Sequence, residues 1–222
     1  VVVHGMGGTG KTVTAVAAVQ DSTIRAFFSE IYWLTVGADA VGERIKQLAA
    51  VLYKQLSGKS MKEEGQDEHE RQAMLVAAMA DKQRALVVLD DPWMPEQVRF
   101  LNPIDSSQSD HRLLVTTRIR DLVPKATKVE LPLMGKDEAV ALLLELANVE
   151  EAEYLKEQPG AAWPPEAAYA IVSECGLLPI TLTIAAQVVR NWGSGWQESV
   201  LPLLREDQGS GESSTSTVEE RV

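Results

Sequence analysis

Residues 1–20 read VVVHGMGGTGKTVTAVAAVQ. The apolar, β-branched run Val1-Val2-Val3, leading straight into glycines, predicts a buried strand followed by a turn. KTVTAVAAVQ (11–20) predicts a helix with a mostly apolar surface. Between them, Gly5-Met6-Gly7-Gly8-Thr9-Gly10-Lys11-Thr12 fits G-x-x-x-x-G-K-[ST], the phosphate-binding loop. Glycines let successive backbone N–H groups turn toward one anion, in conformations that a Cβ obstructs. A helix beginning near Lys11 aims the positive end of its dipole at the same point. Lys11 is placed to reach the β- and γ-phosphates, and the Thr12 hydroxyl to ligate Mg²⁺. With Val13, residues Gly5 to Thr12 form the candidate nucleotide-binding set. Gly5, Gly7 and Gly10 also satisfy the dinucleotide fingerprint G-x-G-x-x-G. That reading asks for an acid at the end of the second strand, whereas Glu30 precedes it, and it leaves Lys11-Thr12 without a purpose.

Working outward, IYWLTV (31–36), ALVVL (85–89), RLLVTT (112–117) and TKVEL (127–131) predict four more strands. Helical spacing appears at 40–56 and at 71–82. The polar stretch 57–70 is expected as an exposed loop. Strands that are apolar throughout, alternating with helices, predict a parallel sheet covered on both faces. Leu86 to Leu89 followed by Asp90-Asp91 reads as a Walker B strand, with carboxylates at the end where open α/β sheets place ligands. Asp90 is the candidate metal residue beside Thr12, and Asp91 the candidate catalytic acid that polarises an attacking water. Arg118 closes Leu113 to Thr117. If that strand lies beside the Walker B strand, its cation stands near a γ-phosphate. The extra strand 31–36 between the two motifs is the ASCE arrangement of P-loop ATPases, with expected strand order 2-3-4-1-5.

After Pro132 the pattern turns all-helical, at 136–148, 166–175 and 179–191. The expected division is a nucleotide-binding domain at 1–131, a small helical subdomain at 132–204 and a disordered tail at 205–222. Charge supplies exclusions. With 32 acidic against 21 basic residues the net charge is −11, which disfavours electrostatic binding of nucleic acid. No run reaches the roughly 20 apolar residues that span a bilayer, so no membrane partner is expected. One cysteine, Cys175, excludes an intrachain disulfide and fits a reducing cytoplasm. His4, His69 and His111 are too scattered for a metal site. A chain opening on Val1 rather than Met reads as a segment of a longer protein.

Six motifs in order resemble the NB-ARC family, the STAND ATPases of apoptotic-protease activators and plant disease-resistance receptors. They are GMGGTGKT (5–12), IYWLTVG (31–37), ALVVLDDPW (85–93), RLLVTTRIRDL (112–122), LPLMGKDEAVALLLELA (131–147) and Cys175-Gly176-Leu177-Leu178-Pro179-Ile180-Thr181-Leu182. Departures are Pro92 for a valine, Leu177 for a glycine, Ile180 for a leucine and Thr181 for an alanine. The resemblance implies Mg²⁺ with bound ADP or ATP, slow ATP hydrolysis, Asp91 and Arg118 as catalytic and sensor residues, and Pro179 against the adenine. It also implies self-association in the ATP state through the full-length protein, in defence or cell-death signalling. Two other readings stay open: a P-loop phosphotransferase acting on a small acceptor, and a scaffold that no longer binds nucleotide.

Overall fold

The computed structural model describes residues 1–61, 67–105 and 110–209. The chain forms two compact units, Val1–Pro132 and Leu133 onward.

The first unit holds five strands: β1 (Val2–His4), β2 (Glu30–Thr35), β3 (Ala85–Asp90), β4 (Arg112–Thr117) and β5 (Lys128–Glu130). All pairings are parallel and the order is β2-β3-β4-β1-β5, as the motif order predicts. The unbroken apolar run in β3 has its reason here, since all six residues are buried. Side chains alternate across a strand. Val87 and Leu89 accordingly enter one core with Leu48, Leu52, Leu75 and Leu101, while Leu86 and Val88 enter a second with Phe28. The register sets Asp90 beside Thr35 on one neighbour and Thr116 on the other. His4 at the end of β1 pairs with Thr117. The carboxyl ends of the central strands thus come level, with the loops that follow them gathered at one rim.

Helix α1 (Lys11–Gln20) follows the glycine loop, and α2 (Ser22–Phe27) restarts at once because the Asp21 carboxylate accepts the Thr23 and Ile24 amides at 2.8 and 3.3 Å. Helix α3 (Glu43–Ser57) buries Ile45, Leu48, Ala49, Leu52 and Leu56. Val41, inside the 40–56 stretch of helical spacing, precedes the helix and is 54% exposed. Helix α4 (Glu68–Ala80) starts earlier than its periodicity suggests, capped by Asp67 on the Glu70 amide at 2.8 Å. Within the stretch expected as an exposed loop, residues 62–66 lie outside the described residues. Met61 is buried, with its sulfur 3.4 Å from Nη1 of buried Arg71. Helix α5 (Pro95–Leu101) occupies a segment in which the sequence gives no clear period.

The second unit is helical throughout: α6 (Lys136–Ala147), α7 (Glu151–Glu157), α8 (Glu166–Glu174), α9 (Pro179–Trp192), a 3₁₀ turn at Gly193–Gly195, and α10 (Trp196–Gly209). Its core joins Leu143, Leu144, Ile171, Val172, Leu182, Val189, Trp196 and Val200. Helix α8 ends in a turn where Gly176 and Leu177 take φ of 64° and 58°. The Leu177 amide returns to the Val172 carbonyl at 3.2 Å, a Schellman-type closure. Leu177 accepts a left-handed conformation that normally favours glycine, and the Thr181 hydroxyl ties the turn by donating to Cys175 O and Leu178 O. The expected tail begins inside a helix: α10 continues to Gly209. It is anchored by Trp196 and Val200, with Leu201 and Leu204 packed on the same core and Arg205 paired with Glu174. The remainder of that tail, 210–222, lies outside the described residues.

Candidate functional site

The site grows from the turn between β1 and α1. A Cβ on Gly5 would stand 2.7 Å from the Leu131 carbonyl oxygen, so the loop leaves the sheet too tightly for any side chain there. Gly10, at φ 92°, precedes α1 without a capping side chain. Among the described residues the backbone N–H groups of Gly7, Gly8, Thr9 and Gly10 donate to no protein acceptor. With the free first-turn amides of α1, they make a cradle of unspent donors of the kind that phosphate oxygens fill. Thr9 braces the loop through its hydroxyl on Met6 O at 2.9 Å.

Lys11 is buried, with Nζ on the carbonyl oxygens of Gly5 at 3.0 Å and Met6 at 2.7 Å. The ammonium is folded over the loop rather than extended into solvent. Burial lowers its pKa below the ordinary lysine value, the nearby Arg118 cation lowers it further, and Asp91 and Asp90 oppose both. A polyphosphate in the cradle would relieve that burden by supplying anionic partners.

Below Lys11 lies a cluster of oxygens. Asp90 Oδ1 accepts from Thr12 Oγ1 at 2.8 Å and from Thr116 Oγ1 at 2.5 Å. Asp90 is only 4% exposed. Hydroxyl and carboxylate oxygens suit Mg²⁺, which is held through one or two carboxylates, its own waters and substrate phosphates. No group of three His, Cys, Asp or Glu side chains is placed to hold a metal among the described residues. The set therefore fits an ion that arrives with phosphates rather than one caged by protein.

Asp91 sits one step further out in a different conformation, at φ 55°, which Asp tolerates better than most residues. Its amide donates to Thr116 O at 2.9 Å and reaches Thr116 Oγ1 at 3.1 Å. Its carboxylate faces Arg118, Oδ1 to Nε 3.8 Å, and accepts the Trp93 indole N–H on Oδ2 at 3.2 Å. A Cβ on Gly7 would lie 3.0 Å from Arg118 Nη1, so the arginine reaches the glycine loop. The condition set by the sequence holds, because β4 lies beside β3. The structure thus brings Lys11, Thr12, Asp90, Asp91 and Arg118 to one rim around Gly5 to Gly10. Met6 and Val13 present exposed side chains, 63% and 71%. Pro179 belongs to the second unit, where it opens α9.

Residues outside the candidate set complete the rim. Gln97, 1% exposed, uses its whole amide. Oε1 accepts the Trp93 and Met94 amides at 2.7 and 3.0 Å, and Nε2 donates to Gly37 O and Ala40 O, both at 3.1 Å. It fixes the loop after β3 to the loop after β2. Thr117 Oγ1 adds a tie to Pro92 O at 2.8 Å. The hydroxyl pair Thr116-Thr117 ending an apolar strand was a visible sign; for Gln97 there was none.

The family model for the NB-ARC domain matches residues 1–153. The chain belongs to the NB-ARC family. It is 29% identical over 205 residues to apoptotic protease-activating factor 1 of Danio rerio, covering 88% of this chain and 15% of that protein. Disease resistance protein ADR1 of Arabidopsis thaliana is 27% identical over 224 residues, 99% of this chain and 23% of the relative. This chain therefore spans less than a quarter of either protein. Among solved structures, the Walker-type ATPase of Pyrococcus abyssi superposes with a TM-score of 0.53 at 14% identity, over 95% of this chain and 68% of that one, a likeness of fold. The NB-ARC chain is a nucleotide-binding module of the P-loop ATPase class. No helix among its described residues is long and apolar enough to cross a membrane.

Proposed function

We propose that this NB-ARC chain is a signalling switch that alternates between an ADP-held and an ATP-bound state, with slow hydrolysis returning it to the first. The observation that carries the reading is the cradle of unspent amides at Gly7 to Gly10, closed by buried Lys11 and floored by the Thr12–Asp90–Thr116 oxygens. Lys11 would leave the Gly5 and Met6 carbonyls for the phosphate chain. Mg²⁺, held through Thr12 and Asp90, supplies neutralising charge on the phosphate oxygens when bound. Asp91 would accept the proton of a water aimed at the γ-phosphorus, and Arg118 would balance the charge that builds on the transferred group. Pro179, at the start of α9, is the proposed adenine contact.

The nucleotide shifts such an equilibrium only by its different affinity for the two states. Arg118 supplies that difference, since ADP carries no third phosphate for it. Proposed on the same footing are self-association in the ATP state through the full-length protein, a cytoplasmic location, and a pathway of the cell-death or defence type suggested by the relatives' names. Release of bound nucleotide from denatured, freshly purified protein tests the reading. Stoichiometric ADP from the native sequence and none from Lys11→Ala is expected; equal nucleotide content in both would sink it.

A further inference from the structure

Arg118 stands in a setting that leaves one question: what keeps a half-exposed guanidinium on station beside the glycine loop? Its side chain is 50% exposed, and its partners among the described residues are two. The Asp91 carboxylate lies 3.8 Å from Nε, and the guanidinium carbon stands 5.0 Å from the centre of the Trp93 ring. The carboxylate is a partner that a γ-phosphate would displace. The ring is not, because a cation can stay over an aromatic face while its edge turns from one anion to another.

Trp93 is itself held at two points, one on the ring and one on the backbone. Its indole N–H donates to Asp91 Oδ2 at 3.2 Å. Its backbone N–H donates at 2.7 Å to Gln97 Oε1, on an amide whose other bonds hold Gly37, Ala40 and Met94. Pro92, the residue before it, is held by Thr117. Trp93 is therefore a platform tethered between the carboxylate and the arginine.

We propose that Trp93 is a positioning residue for recognition of the third phosphate, its ring seating Arg118 against the glycine loop whether the guanidinium faces Asp91 or a γ-phosphate. This rests on the ADP/ATP reading above and adds to it the residue that holds Arg118 ready to distinguish the two nucleotides. Without the platform, Arg118 would have to be ordered afresh by the phosphate, at a cost charged to ATP and not to ADP.

The test uses the 222-residue chain with Trp93→Leu, which removes the ring, and Trp93→Phe, which keeps an aromatic face. Calorimetry with Mg²⁺-ADP and with a Mg²⁺-bound non-hydrolysable ATP analogue gives the ratio of the two affinities. Trp93→Leu should weaken the analogue by about two- to five-fold, the scale of an exposed cation–π contact, and leave ADP unchanged. Trp93→Phe should restore most of the native ratio. Subtracting the Trp93→Phe fluorescence from that of the native sequence isolates the Trp93 signal, which should respond to the analogue and not to ADP. If Trp93→Leu does not fold, this spectrum decides alone.

Equal weakening of both nucleotides, an unchanged ratio in Trp93→Leu, or a Trp93 signal blind to the third phosphate would overturn the proposal while leaving the switch reading intact. Failure of the native chain to bind either nucleotide would overturn both.

Discussion

The two units of this chain treat polarity in opposite ways. All the buried polar or charged residues among those described lie in the first: His4, Thr9, Lys11, Arg71, Asp90, Gln97, His111, Thr116 and Thr117. The buried residues of the second, from Ala139 to Val200, are apolar. Burying a hydroxyl, an amide or a charge is unfavourable unless each is hydrogen-bonded. Much of the first unit's buried polarity meets that condition: Thr12 and Thr116 donate to Asp90, Gln97 bonds four backbone groups, and His111 Nδ1 accepts the Ala85 amide at 3.1 Å. Lys11 is a buried cation whose ammonium rests on backbone carbonyls rather than on an anion. The first unit is thus assembled around a ligand's charge, and the second is a packed body whose stability is set by apolar contact.

The two units should therefore fail differently. The largest effect belongs to Lys11→Ala. Losing charge-assisted bonds to the β- and γ-phosphates should weaken a non-hydrolysable ATP analogue by about 3–6 kcal/mol while the fold persists, read by calorimetry beside thermal unfolding. Next comes Ile171→Ala in the second unit's core. A cavity there should cost about 2–5 kcal/mol in urea unfolding with no change in the Mg²⁺ needed for ADP binding. Thr116→Val keeps the shape and removes the hydroxyl that Asp90 Oδ1 and the Asp91 amide share. It should cost about 1–3 kcal/mol in the same unfolding experiment and also raise the Mg²⁺ requirement, a combination that no change in the second unit should produce.

The smallest effect is the pH dependence of the nucleotide-free chain. Burial and Arg118 hold the Lys11 pKa below the ordinary 10.5. Between the lowered value and 10.5 the unfolded chain binds more protons than the folded one, so stability rises with pH across that window. ADP affinity should fall over the same range, because phosphate prefers the protonated lysine, and binding there should take up a proton. Titrations in buffers of different ionisation enthalpy would show the uptake, and Lys11→Ala should remove it. Uptake unchanged in that variant would assign the proton elsewhere.

Much of the first unit was legible before any coordinates, because its features are local. Continuous apolar runs name the strands, and Gly5 to Thr12 and Leu86 to Asp91 carry their chemistry in adjacent residues. The strand order follows from counting one strand between them. What escaped were short or long-range features. Helices α2 and α5, six and seven residues long, are too brief to show a period. Gln97 acts on Gly37 and Ala40 across 60 and 57 positions, a partnership that no window of sequence displays. Trp93 was visible only as a letter in a motif; its place between Asp91 and Arg118 needs the turn at Asp91 and the pairing of β3 with β4. In the second unit, Trp196 and Val200 carry α10 across a Pro202 and into a polar sequence that composition alone marked for disorder.

The most direct test of the central claim is a calorimetric titration of Mg²⁺-ADP into the folded chain, run beside Lys11→Ala. The account predicts saturable one-to-one heat in the native sequence and none in the variant. A flat titration of the folded native chain, or equal heats in the two, would contradict it.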